Sequence, residues 1–386
     1  MGRPPISMCT DTPQLFNFVV MSSSPSTSQE QKVEFNKEQL DRLDEVGGEL
    51  ELHSTKYSST EYVIRIDLFK ILRKLSAQLK IYGVEFEKML LVGGGASHVA
   101  NVKYGYSDID VVISLRQVAR SGEEEDRLFY TISLAVDALL DDLVWNHTSL
   151  GHGGPSSNQI FDPDFFKKGV LAKKFRFHRN MRNPTASTDS WSLFALHNKQ
   201  GRDVELKFVL RMARDYEYAT DSLKIDVVPR VQGTSEKVMM ESGFGDVRRV
   251  LYCLENRLIV IVDPENVLGE GLLKYIRLLL KKFRLENWTS QKARALAKIM
   301  VNEFFEAWNQ RPETNPVKSY LDAHYSPTDF RFRIQFLQLL ERCCLAVYSN
   351  GTNSAKLSTV IRQLEEQFKR EELEFNGKLT QHVSSL

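Results

Sequence analysis

Two short stretches of this 386-residue chain carry residue types and spacings suited to chemistry on a phosphate. The first is Leu91-Val92-Gly93-Gly94-Gly95-Ala96-Ser97-His98, and the second is Ser107-Asp108-Ile109-Asp110-Val111-Val112. On a strand the side chains alternate, so Asp108 and Asp110 project from one face while Ile109 and Val111 enter the core. Two carboxylates about 7 Å apart on a rigid strand repel each other unless a cation lies between them. A Gly-rich turn just upstream lets backbone N–H groups approach a polyphosphate. A metal clamp beside a phosphate cradle is the equipment of nucleotidyl transfer.

A third acid fits the same scheme. Along Asp203-Val204-Glu205-Leu206-Lys207-Phe208-Val209, the residues Val204, Leu206 and Phe208 form an apolar face, and Glu205 and Lys207 stand on the other. With this strand beside the Asp108 strand, three carboxylates could hold two Mg²⁺ ions on hard oxygen ligands. One ion would lower the pKa of an attacking hydroxyl and the other would neutralise a leaving pyrophosphate. Each piece alone has an ordinary reading: an acidic strand edge, a solvated Glu205, a glycine loop. Their order along the chain favours the joint reading.

The elements that must position these groups follow from periodicity. Ile64, Leu68, Ile71, Leu72, Leu75 and Leu79 fit one face of an amphipathic helix. Met89 to Val92 predicts a buried strand entering the glycine turn, and Ile109 to Leu115 predicts a second strand. Leu128, Ile132, Ala135, Leu139 and Leu143 return to helical spacing, and Gly151-His152-Gly153-Gly154-Pro155 breaks the chain. Strands at Trp191 to Leu196 and Asp203 to Leu210 are joined by a polar turn. From about residue 240 the pattern is helical, at Gly271 to Arg284, Gln291 to Trp308, Asp329 to Ser349 and Leu357 to Phe375. The chain reads as α+β: a mixed catalytic lobe, then a mostly helical lobe, with a cleft between them.

Composition sets the outer limits. With 42% hydrophobic and 10% aromatic residues the chain can bury a sizeable core, which excludes a disordered, collagen-like or disulfide-dense class. The 51 basic residues against 50 acidic argue against a broadly cationic nucleic-acid binder but leave room for local basic patches. Four cysteines, Cys9, Cys253, Cys343 and Cys344, lack the spacing of a disulfide framework or a zinc site, which points to a reducing, intracellular setting. No apolar run approaches the roughly 18 residues of a membrane span. Leu15 to Met21 is too short and lacks the flanks of a secretory signal. The Ser/Thr/Pro/Gln-rich residues 1–45 predict a flexible arm, because so few apolar side chains cannot offset the entropy of ordering. Residues 46–235 then form the catalytic domain, 236–376 the helical domain and 377–386 a tail.

The remaining candidates are weaker. Lys274, Arg277 and Lys281 recur at spacings of three and four along an amphipathic helix, and for Arg277 and Lys281 a solvated basic face is the simpler reading. Lys167, Lys168, Lys173, Lys174, Arg176, His178, Arg179 and Arg182, interleaved with Phe165, Phe166, Phe175 and Phe177, offer cations for phosphates and rings for bases. The alternation Phe175-Arg176-Phe177-His178 equally fits a half-buried strand. His98 reads as structural, His147 and His152 have no zinc-spaced partners, and Cys343-Cys344 reads as core.

The order of glycine turn, Asp-x-Asp strand and later acid resembles the DNA polymerase β-like nucleotidyltransferase superfamily. The blocks Gly95-Ala96-Ser97-His98-Val99, Tyr106-Ser107-Asp108-Ile109-Asp110, Trp191-Ser192-Leu193, Val204-Glu205-Leu206-Lys207-Phe208-Val209, Asp221-Ser222-Leu223 and Gly271-Leu272-Leu273-Lys274-Tyr275 narrow the resemblance. Together they are similar to terminal nucleotidyltransferase family five, also called family with sequence similarity forty-six, which are template-independent poly(A) polymerases. The resemblance implies a polymerase β-like fold and transfer of AMP from ATP to the 3′ end of RNA, messenger RNA above all. It implies Asp108, Asp110 and Glu205 as ligands of Mg²⁺ or Mn²⁺, and Gly93, Gly94, Ser97 and Lys274 around the triphosphate. Gly94 stands where the family has Ser, so Ser97 is the candidate for the missing hydroxyl. A cytoplasmic setting with nuclear access, and protein partners that select transcripts, are also implied. A catalytically silent scaffold of the same fold, or an enzyme with another nucleotide or product, are the alternatives. The presence of all three acids favours turnover.

Overall fold

The computed structural model describes residues 32–53, 63–148, 163–179, 189–198, 203–212, 216–234, 237–261, 271–286, 290–326, 328–347 and 352–384. In chain order the elements begin β1 (Val33–Glu34), α1 (Lys37–Val46), β2 (Glu49–His53), β3 (Val63–Asp67), α2 (Leu68–Ile81), β4 (Phe86–Val92), α3 (Gly93–Ala100) and β5 (Ile109–Leu115). Next come α4 (Gly122–Thr148), α5 (Pro163–Val170), β6 (Leu171–Arg179), β7 (Asp189–Leu196), β8 (Val204–Arg211), a 3-10 turn (Ala219–Asp221), β9 (Leu223–Asp226), α6 (Val228–Gln232) and β10 (Met239–Ser242). The helical part holds α7 (Val247–Glu255), β11 (Leu258–Ile259), α8 (Gly271–Leu280), β12 (Arg284–Leu285), α9 (Ser290–Gln310), α10 (Pro316–His324), α11 (Phe330–Val347) and α12 (Thr352–Ser384).

An eight-stranded mixed sheet, ordered β1-β10-β9-β4-β5-β8-β7-β6, is the frame of the first half. Its β5–β8 pair is parallel, while β4–β5, β4–β9 and β7–β8 are antiparallel. Period-two patterning explains the two central strands. Ile109, Val111 and Ile113 of β5 and Val204, Leu206 and Phe208 of β8 are all at most 1% exposed, and the residues between them point the other way. These six join the buried stripe of α2 (Leu68, Ile71, Leu72, Leu75, Leu79) and the α4 residues Ile132, Ala135 and Leu139 in one core. Each such side chain contributes about 1.5–3 kcal/mol by leaving water, so the face opposite the acids is anchored rigidly.

Four expectations are corrected. The flexible arm does not extend to residue 45. Residues 1–31 lie outside the described residues, but β1 pairs with β10 through Val33↔Met240, and α1 is closed by an Asn36/Gln39 capping box. With only Leu40, Leu43 and Val46 apolar among charged neighbours, α1 is easily read as solvent-loving, yet Leu43 and Val46 are buried. The sheet of the first half likewise does not close at residue 235, since β10 lies within it, between β1 and β9, up to Ser242. Third, the helix beginning at Ile64 is a strand followed by a helix. Ile64 and Ile66 alternate along β3, and Asp67 then caps α2 by accepting from the Lys70 amide at 2.8 Å. The tail set off at residue 377 is also not separate, because α12 runs on to Ser384.

The two halves are stitched at Tyr218. Its fully buried ring sits before the 3-10 turn, and its hydroxyl donates to the Gly271 carbonyl of α8 at 2.7 Å and lies 3.3 Å from the Met300 sulfur of α9. Among the described residues, no helix is long and apolar enough to cross a membrane.

Candidate active site

The glycine run is the first turn of a helix. Gly93 leaves β4 with φ +61°, a left-handed conformation that side chains resist, and α3 starts there. A Cβ at Gly93 would stand 2.7 Å from Oδ2 of Asp110, and one at Gly94 would stand 3.2 Å from Cβ of Tyr106. The missing side chains therefore let the chain run directly against an acid and against the loop that precedes β5. The N-terminus of α3 has no side-chain cap, so its first N–H groups are available to an anion.

The acids are brought together as the strand patterns require. Asp110 of β5 and Glu205 of β8 are register partners on adjacent parallel strands, and Asp108 stands just before β5. Burial is the main force that pushes the Asp110 carboxyl up, to about 7; the Glu205 and Asp108 charges add to it, and Lys274 and Lys207 oppose it. Such a site is short of positive charge. Hard carboxylate oxygens in a cation-starved setting fit Mg²⁺ or Mn²⁺. Among the described residues, no three His, Cys, Asp or Glu side chains are already gathered as a complete metal shell. Asp108 is turned instead toward Ser107, whose hydroxyl donates to Oδ2 at 3.1 Å, and toward His324, whose Nδ1 lies 3.5 Å from the same oxygen.

Lysine 274 reaches the site from α8. Its ammonium lies 2.8 Å from Oδ2 of Asp221 and 3.9 Å from Glu217, and these carboxylates hold its pKa up against the cost of burial. About a third of its side chain remains exposed, so it can serve a phosphate as well as its carboxylate partners. Tyr104 donates to the other oxygen of Asp221 at 3.3 Å.

Arg277 and Lys281 are not a solvated face. Arg277 is half-buried, donates through Nη2 to Ser107 Oγ at 3.1 Å, and places Nη1 3.3 Å from His324 Nδ1. Lys281 donates to the Gly105 carbonyl at 3.2 Å and lies 5.0 Å above the Tyr104 ring; burial, reinforced by Arg277, pushes its ammonium down to about 8. The face of α8 that reads as solvated in sequence thus clamps the loop carrying Tyr104 to Ser107.

Ser97 does not stand ready for a triphosphate. It is fully buried, and its hydroxyl donates to the Thr220 carbonyl at 2.5 Å, tying α3 to the 3-10 turn. His98 is buried with its ring 5.0 Å from that of Tyr106, in keeping with a structural role, and Cys344 is core. Much of the basic cluster falls on β6, three strands from β5 at the sheet edge; His152 and Arg182 lie outside the described residues. Sequence reasoning missed His324. Its helix, α10, was signalled by Asn315 followed by Pro316, an N-cap with proline in the first turn, but nothing in that signal points at Asp108.

Residues 35–348 match a family model described as Nucleotidyltransferase. Terminal nucleotidyltransferase 5B of Homo sapiens is 30% identical to this chain over 287 residues, which cover 71% of this chain and 62% of the relative. The Bos taurus protein of the same name is 31% identical, with 71% and 61% covered. Terminal nucleotidyltransferase 5C of Mus musculus is 29% identical over 323 residues, with 80% and 75% covered. The match thus spans somewhat less than two thirds of the 5B relatives.

Proposed function

The chain belongs to the nucleotidyltransferase family, and from that premise we propose that it transfers AMP from ATP to the 3′ hydroxyl of RNA, messenger RNA in particular. The observation that carries this reading is the pairing of Asp110 with Glu205, beside Asp108 and directly against Gly93. In the transfer, the 3′ oxygen bonds to the α-phosphorus of ATP, the bond from that phosphorus to the bridging β-phosphate oxygen breaks, pyrophosphate leaves, and the hydroxyl proton passes to water. Mg²⁺ or Mn²⁺ bound by Asp108, Asp110 and Glu205 would lower the pKa of the attacking hydroxyl and offset the charge of the leaving pyrophosphate.

The residues of the chain do the rest. The uncapped first turn of α3 and the ammonium of Lys274 bind the triphosphate, which sets the α-phosphorus beside the acids. Arg277 and Lys281 hold the loop before Asp108 against the helical half. The terminal nucleotidyltransferases to which the chain is similar support the transferase reading. Choice of ATP and of messenger RNA, and a cytoplasmic setting with nuclear access, rest on the resemblance of the sequence blocks. Protein partners that select transcripts belong to the same reading.

The purified chain incubated with ATP, Mg²⁺ or Mn²⁺ and an oligo(A) primer should extend the primer, and the Asp108→Ala, Asp110→Ala double variant should not. Equal extension by both would remove the enzymatic reading. Parallel reactions with each of the four nucleotides test the preference for ATP, and UMP incorporation in its place would overturn that part.

A further inference from the structure

We propose that Trp191 and Lys207 form the platform on which the acceptor strand lays its 3′ end, a proposal that rests on the transferase reading above. An in-line displacement puts the leaving pyrophosphate and the attacking hydroxyl on opposite sides of the α-phosphorus. The sheet order β4-β5-β8-β7 therefore assigns the two substrates to two sides. The phosphate cradle lies at the end of β4, where Gly93 abuts Asp110, so the triphosphate occupies the β4 side of the acids. The acceptor must then approach across β8 and β7.

What stands on that side suits a nucleic-acid strand. Lys207 is two residues along β8 from Glu205 and shares its face, because Asp110 pairs with Glu205 and Val112 with Lys207. On the next strand Leu193 pairs with Lys207 and Trp191 with Val209, which makes Trp191 the diagonal neighbour of Lys207. The Lys207 ammonium lies 4.2 Å from the centre of the Trp191 ring, and its charge is felt at Asp110. Both residues are half-buried, and each keeps part of its surface at the solvent. A cation two residues along the strand from Glu205 can neutralise the phosphate behind the terminal nucleotide, and an indole on the next strand can stack a base. The lysine held over the indole keeps the two in one geometry before any strand arrives. Stacking of this kind tolerates any base, as a growing homopolymer end requires.

The test is binding of a labelled 15-nucleotide oligo(A) to the full chain in EDTA, followed by fluorescence anisotropy, so that metal and turnover play no part. Trp191→Ala should weaken binding roughly 5- to 100-fold, and Trp191→Phe should keep it within about threefold. Lys207→Ala should weaken binding and lower the salt slope by about one. In primer extension the KM for oligo(A) should rise in both variants while the KM for ATP stays unchanged. As a readout that does not depend on the alanine variant folding, oligo(A) should quench the indole emission of the wild type, and Trp191→Phe should remove that quenching. Unchanged oligo(A) affinity in Trp191→Ala and Lys207→Ala, or quenching that survives in Trp191→Phe, overturns the platform and leaves the transferase standing. Affinity lost as expected, in a wild type that extends no primer with any nucleotide, keeps the platform and overturns the transferase.

Discussion

Asp110 and Glu205 face each other as register partners on the parallel strands β5 and β8, with burial and mutual repulsion raising the Asp110 carboxyl to about 7. Two acids so placed destabilise the metal-free fold, so function and stability pull in opposite directions at this pair. Asp110→Asn and Glu205→Gln should each abolish primer extension and raise the metal-free melting temperature by a few degrees. Mn²⁺ should stabilise the wild type and have much less effect on either variant. Calorimetric scans with and without Mn²⁺ check both signs, and a metal-free Asp110→Asn that melts below the wild type contradicts the repulsion.

Two adjacent glycines should respond differently to a side chain. Gly93 needs φ +61° and a Cβ there meets Asp110 Oδ2 at 2.7 Å, so Gly93→Ala costs about 1–2 kcal/mol of backbone strain and displaces the acid. Gly94 has no positive φ, and its Cβ would meet Tyr106 at 3.2 Å, a distance that a few tenths of an ångström of movement relieves. Gly93→Ala should therefore lower kcat at least a hundredfold, and Gly94→Ser should remain within about tenfold of the wild type. Measured rates in the reverse order would show that the close approach to Asp110 is not what the first glycine serves.

Lysine 281 gives the fold a pH dependence of definite sign. Burial, with Arg277 beside it and only Asp221 acting in its favour, lowers its ammonium to about 8, against an unfolded value near 10.4. Between those values the unfolded chain holds a proton that the folded chain has given up, so this group makes stability rise as pH rises through the window. Its partial exposure moderates the effect to about 1–2 kcal/mol. Lys281→Met should stabilise the protein at pH 7 and flatten urea midpoints between pH 8 and 10. A variant whose midpoint rises with pH as steeply as that of the wild type would rule out Lys281 as the source.

The strands that carry the acids were legible because their chemistry and their burial share one period. In β5 and β8 the apolar residues alternate with Asp110 and Glu205, so one pattern fixes both the core and the site. Where the signal is weaker the sequence misleads. Ile64, four residues before Leu68, falls in step with the helical stripe that follows, and only the period-two partner Ile66 and the cap Asp67 mark the change from β3 to α2. Ser97 sits beside the glycines in sequence, but the α3 helix turns its hydroxyl inward to the Thr220 carbonyl. The ring of groups around Asp108 could not be read at all, since Ser107 is 170 residues from Arg277 and 217 from His324. Contacts at such separation follow from how the helices dock, which no local period encodes.

That long-range contact carries the last prediction. Arg277 donates to Ser107 Oγ at 3.1 Å, and the same hydroxyl donates to Asp108 Oδ2 at 3.1 Å, so one hydroxyl separates a cation of the helical half from an acid of the sheet. The arginine is a positioning residue: it holds the loop before β5 and reaches Asp108 through Ser107, with His324 as a second, longer bridge. Arg277→Met should lower kcat about tenfold or more while leaving the KM for ATP nearly unchanged, and Arg277→Lys should restore part of the loss. Ser107→Ala breaks the same chain at its middle, so the two changes should not add. The double variant should be little slower than either single one, with a coupling energy above about 0.5 kcal/mol. Additive effects on kcat would mean that Arg277 does not act through Ser107, and that its influence runs through His324 or through the fold generally.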